Sequence, residues 1–108
     1  MNGNLMGEYK KILEDNIQIL GYEELRYSIF EGAENNRQEY QIRIEKIGDI
    51  FEVYMTADRA GVIGKYEFED IFDAFHQFLS IMQDTILSNR KRVRDGKPAE
   101  YPSSLWDN

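Results

Sequence analysis

Asp58 and Arg59 stand side by side at the head of DRAGVIGKYEF, residues 58–68, with glycines at 61 and 64 and a lysine at 65. An acid beside a guanidinium can orient a substrate. Glycines ahead of a lysine can bring backbone amides up to a phosphate. The phosphate chemistry fails on spacing. A P-loop needs a glycine five residues before the Gly–Lys pair, where this chain has Arg59, and a Ser or Thr after the lysine, where it has Tyr66. What remains is a structured turn. Gly61 and Gly64 permit positive φ, Asp58 is placed to bond turn amides, and Arg59 is placed to pair with a carboxylate and pin the loop to a sheet edge. The same two charged groups are candidates to face a ligand or partner.

Other chemistry finds little support. His76 is the only histidine and lies among phenylalanines in FDAFHQF, without neighbours that complete a metal-ligand set. None of Ser28, Ser80, Ser88, Ser103 and Ser104 lies in a G-x-S-x-G elbow, and the chain has no cysteine to act as a thiolate nucleophile or zinc ligand. We therefore expect a protein that is not an enzyme and needs no cofactor or metal. A small enzyme would have to converge Asp58, Arg59 and Tyr54 on a pocket.

Charge narrows the partners. The net charge is −7, and it is uneven: up to residue 88 there are 8 Lys/Arg against 17 Asp/Glu, leaving −9, and beyond it 5 against 3, leaving +2. Phosphate backbones repel an acidic body, so nucleic acid is not the expected partner. The basic run NRKRVR, residues 89–94, reads as a solvated helix end complementing its dipole. The start, MNGNLMGEYKKILEDN, has no long apolar run, and no stretch approaches a membrane span. The expectation is a cytoplasmic protein with no membrane partner and a basic protein partner.

The elements that must position these residues follow from periodicity. Leu5, Tyr9, Ile12, Leu13, Ile17 and Leu20 recur at helical spacing, and Gly21 ends that helix. Three runs then alternate with period two: Leu25–Phe30, Tyr40–Glu45 and Phe51–Thr56. GAENNRQ joins the first pair and KIGD, a hairpin signal, the second. Lys65–Glu69 is a short fourth strand. Asp70 caps a long helix whose stripe is Ile71, Phe72, Phe75, Phe78, Leu79, Met82 and Ile86, running to about Arg94 before Gly96 and Pro98.

The order αββββα predicts an α+β fold in one domain, residues 1–108, with irregular tails at 1–4 and 97–108. The simplest architecture is a two-layer sandwich, in which a four-stranded antiparallel meander carries both the N-terminal and the C-terminal helix on one face. The far face would then meet water or a partner, and alternation gives it Arg43, Glu45, Glu52, Tyr54 and Glu67. Trp106 is expected as a lid on the core, with a second anchor as the other option.

The stretch FEVYMTADRAGVIGKYEFEDIFDAFHQFLSIM, residues 51–82, resembles the central part of small immunity proteins that accompany bacterial polymorphic toxins. Tyr54, Thr56, Asp58, Arg59, Gly64 and Phe68 carry the resemblance, with Ala74, Phe78 and Leu79 on the helix. It covers about a third of the chain. It implies a non-catalytic cytoplasmic inhibitor that binds the toxin domain of a cognate effector. The alternative is a small acidic secretion-chaperone or adaptor protein acting as a dimer. Monomer and homodimer both stay open.

For the partner-binding surface, Tyr54 is the expected aromatic anchor, because aromatic residues dominate interface hot spots. Glu45, Glu52, Glu67 and Glu69 supply charge, and Asp58 and Arg59 flank them in the turn.

Overall fold

A computed structural model describes residues 5–107 of the chain. The expected irregular start at 1–4 lies outside them. The elements are α1 (Leu5–Leu20), β1 (Tyr27–Ile29), β2 (Ile42–Ile47), β3 (Ile50–Thr56), β4 (Val62–Phe68) and α2 (Ile71–Arg94). The αββββα order and the α+β class are as expected.

Local signals set the boundaries. The Asp70 carboxylate accepts hydrogen bonds from the amides of Phe72 and Asp73, which opens α2. At its other end Gly96, at φ +76, lets its own amide reach Val93 O and the Lys97 amide reach Arg92 O, a Schellman closure. Gly48 and Asp49 form the two-residue loop between β2 and β3.

The sheet runs in the order β1-β2-β3-β4, with one departure from the expected meander: β1 pairs parallel to β2, through Tyr27↔Ile42 and Ile29↔Ile44. Parallel neighbours need a crossover of about a dozen residues. Residues 30–41 supply it, as an irregular connection that returns across the sheet face away from α2. The other two pairings are antiparallel.

The core lies between the sheet and the helices. Ile42, Ile44, Phe51 and Val53 meet Phe75, Phe78, Ile81 and Met82 of α2 and Leu13 and Ile17 of α1. Each such side chain, fully buried, contributes about 1.5–3 kcal/mol. Tyr9 stacks edge-on against Phe72 and Phe75, which ties α1 to α2. The α1 stripe is narrower than its periodicity suggests, since Leu5, Ile12 and Leu20 are exposed. Phe72 is also largely exposed, at the margin of the core.

The tail after α2 is packed, and it holds a short 3-10 turn at Ser104–Trp106. Asn89 is fully buried and clamps it: its Oδ1 accepts from the Glu100 amide at 2.7 Å, and its Nδ2 donates to Glu100 Oε1 at 3.1 Å. Trp106 sits under this strap, buried in the core cluster, with Nε1 donating to Tyr101 O. It is the lid on the core.

Candidate functional site

The sheet face opposite the helices is covered over β2 and the adjoining part of β3, and left open at β4. Arg43 is 0 % exposed there. Its Nε donates to the Tyr54 hydroxyl at 3.1 Å, Nη1 to Gln41 Oε1 at 2.5 Å, and Nη2 to Glu45 Oε2 at 3.0 Å. The guanidinium also reaches three backbone carbonyls of the crossover: Gly32 at 2.7 Å, Asn35 at 2.9 Å and Asn36 at 3.3 Å. Glu45 answers by accepting the Gly32 amide, and the Thr56 hydroxyl donates to Gln38 O. A guanidinium has five N–H donors in a rigid fork, so one arginine can hold a loop with no secondary structure of its own.

This arrangement changes the expected surface. Tyr54, at 2 % exposure, and Glu45 are interior groups, because the crossover covers the β2 side of the face that alternation left for water. Glu52 is half-buried and pairs with Lys65 at 3.6 Å. Glu67, Glu69, Asp58 and Arg59 are exposed. Glu45, Glu52 and Glu67 form a row across β2, β3 and β4 by register. Arg43 and Lys65 answer the first two, and Glu67 has no ion pair among the described residues.

The DRAGVIGKYEF stretch is a hairpin with two irregularities. Arg59 and Ala60 both hold left-handed backbone, at φ 62 and 57. The β3–β4 register shifts by one residue between Val53 and Met55, so Gly64 and Lys65 together face Tyr54. Gly64 takes φ +58, the conformation a glycine bulge requires. The turn is pinned, though not through the Arg59 side chain as anticipated. Glu39 of the crossover accepts the Arg59 amide at 2.5 Å, and Arg37 Nε donates to Ala60 O at 3.1 Å. The side chains of Asp58 and Arg59 make no hydrogen bond or ion pair among the described residues.

On the helix side, β4 overhangs α2 and leaves a groove of about 280 Å³ lined by Met55, Ile63, Tyr66, Ile81 and Thr85, with Asp84 and Glu100 at its rim. Its volume falls just below the roughly 300–1,000 Å³ range of sites that enclose small molecules. Sequence reasoning missed this groove and missed Gln41, Arg37 and Glu39. The strands are shorter than their alternating runs, so the connection is twelve residues long where the runs Leu25–Phe30 and Tyr40–Glu45 leave nine between them.

The chain is a small α+β protein whose buried Arg43 and Glu45 pair with each other and whose exposed carboxylates Glu67 and Glu69 lie along and just beyond β4. The family model described as Immunity protein 59 (Imm59) matches residues 6–107, and the chain belongs to that family. The resemblance carried by residues 51–82 thus extends over almost the whole chain. No curated protein matches, and no solved structure matches.

Proposed function

We propose that this protein is a cytoplasmic inhibitor that binds the toxin domain of a cognate effector and neutralises it without chemistry of its own. Membership of the Imm59 family, over residues 6–107, carries the reading. Two features support it. Of the groups a small enzyme would need, Tyr54 is buried and bonded to Arg43, while Asp58 and Arg59 are exposed. The exposed charge is acidic, which speeds encounter with a basic toxin and falls off with salt. The surface we assign to the toxin carries Glu67, Glu69, Asp58 and Arg59, with Glu52 behind them. Tyr54 and Glu45 act from beneath it, by fixing the crossover.

The experiment is co-expression with the toxin domain encoded beside this chain, in a host which that domain kills. The expected outcome is survival and a stoichiometric complex on size exclusion. Killing at full expression of the folded protein would reject the reading.

A further inference from the structure

Resting on that inhibitor reading, we infer that the toxin seats an apolar side chain, flanked by Lys or Arg, in the groove between β4 and α2. Strand β4 is the edge of the sheet, paired on one side only. Soluble proteins blunt such edges, and this one is blunted against further strand pairing. The Gly64 bulge breaks its line, and Lys65 and Glu67 place charges along it. Its apolar side chains are left open all the same. Ile63 is 50 % exposed and Tyr66 48 % exposed, and both lean over Met55 and Ile81 at the groove floor. Two exposed large apolar residues over a preformed apolar floor make a side-chain socket rather than a strand template.

The charge around the socket selects its occupant. Asp84 and Glu100 both line the groove; Asp84 makes no hydrogen bond or ion pair among the described residues, and the Glu100 carboxylate accepts from Asn89 Nδ2. Glu67 and Glu69 lie along the same strand edge and beyond it. Lys65 is already paired with Glu52, and of the cations beyond Ser88, Lys91 is paired with Asp95 and Arg92 reaches Pro98 O. A second copy of this chain would bring a net charge of −7 against these carboxylates. A basic segment of another protein meets complementary charge on both sides of the strand.

The test uses the purified toxin domain encoded beside this chain and titration calorimetry, with the melting temperature of each variant measured in parallel. Ile63→Arg fills the socket with charge, and Asp84→Lys reverses one rim while lying on the exposed face of α2. Ile19→Arg, on the far side of α1, is the comparison. Ile63→Arg is expected to weaken binding by about 30-fold or more, as hot-spot losses do. Asp84→Lys is expected to weaken it by roughly tenfold at low salt and less at high salt. Ile19→Arg should stay within about twofold. Wild-type binding that Asp84→Lys and a folded Ile63→Arg leave intact would overturn the socket and spare the inhibitor reading, as would loss confined to Ile19→Arg. A dimer in sedimentation that Ile63→Arg dissolves, with toxin affinity unchanged, would give the groove to a second copy and also overturn it. No binding by the wild-type protein would remove both.

Discussion

Arg43 Nη2 and Glu45 Oε2 meet at 3.0 Å with both side chains shut off from water, two residues apart on one strand. The pair joins β2 to the crossover, because Arg43 also donates to the crossover carbonyls and Glu45 accepts the Gly32 amide. Replacing Arg43 by Ala leaves the Glu45 charge buried and three carbonyls without their donor. A loss of about 3–5 kcal/mol in urea unfolding is expected. The double variant Arg43→Met with Glu45→Met removes the stranded charge and should recover part of that loss. A double variant as unstable as Arg43→Ala would mean that the loop contacts, not the charge pair, dominate.

The reach of sequence reasoning can be read at this same pair. Alternation of Ile42 and Ile44 with Gln41, Arg43 and Glu45 identified β2 and its core face correctly, because period two follows from strand geometry. Alternation separates apolar from polar faces, and it says nothing about whether water or a loop lies on the polar one. The direction of β1 was hidden for a related reason. The alternating runs leave nine residues between the strands, which suits a hairpin loop; only the shorter observed strands leave the dozen a parallel crossover needs. The helices were legible in their caps, since Asp70 and Gly96 act through local hydrogen bonds. The socket was not legible, because it depends on how far β4 overhangs α2. Gly64 was legible as a glycine that the backbone requires, though its role is a bulge and not a turn.

Gly64 and Gly61 differ in what they demand. Gly64 holds φ +58, and a Cβ there would meet only Tyr66 Cε2 at 3.8 Å. Its cost is therefore conformational: Gly64→Ala should destabilise by about 1–2 kcal/mol. Gly61 sits at φ −71 with open space around it. Gly61→Ala should be neutral or stabilise by about 0.4–1 kcal/mol, through a stiffer unfolded chain. Thermal unfolding of the two variants side by side checks this, and equal losses would contradict the bulge.

Burial pushes the Tyr101 hydroxyl above the usual tyrosine range, against the opposing Arg26 amide and guanidinium, and Glu100 adds to the rise. Tyr27 is raised as well, by burial first and then by Glu14 and Glu23. The unfolded chain releases these protons near pH 10, about the free tyrosine value. Above that pH the folded state holds more protons than the unfolded one, so stability falls as pH rises towards the folded pKa values. Melting temperatures from pH 9 upward should decline, and Tyr101→Phe should decline less steeply, although it starts lower for want of the bond from the Arg26 amide. Parallel slopes for the two proteins would show that Tyr101 does not titrate differently on folding.

Asn89→Ala removes the side chain that accepts the Glu100 amide and donates to the Glu100 carboxylate. The amide is then left without its partner, at about 1–3 kcal/mol. The loss should concentrate in the tail: faster hydrogen exchange at Glu100 and red-shifted emission from Trp106, whose indole is held by Tyr101 O. Exchange that quickens evenly along α2 instead would place the role of Asn89 in the helix.

Tyr54 separates folding from binding. Its hydroxyl accepts from Arg43 Nε at 3.1 Å and lies 3.4 Å from Glu45 Oε2, beneath the crossover. Tyr54→Phe keeps the ring and removes the hydroxyl, so stability should drop by about 1–2 kcal/mol while affinity for the toxin domain stays constant. Tyr54→Ala also opens a cavity beneath the crossover, and its larger loss of stability should lower affinity only as far as it lowers the folded fraction. An interface anchor would give the opposite signature, with affinity lost at an unchanged melting temperature. Calorimetric titration and thermal unfolding of both variants therefore decide whether Tyr54 supports the proposed binding surface from below or forms part of it.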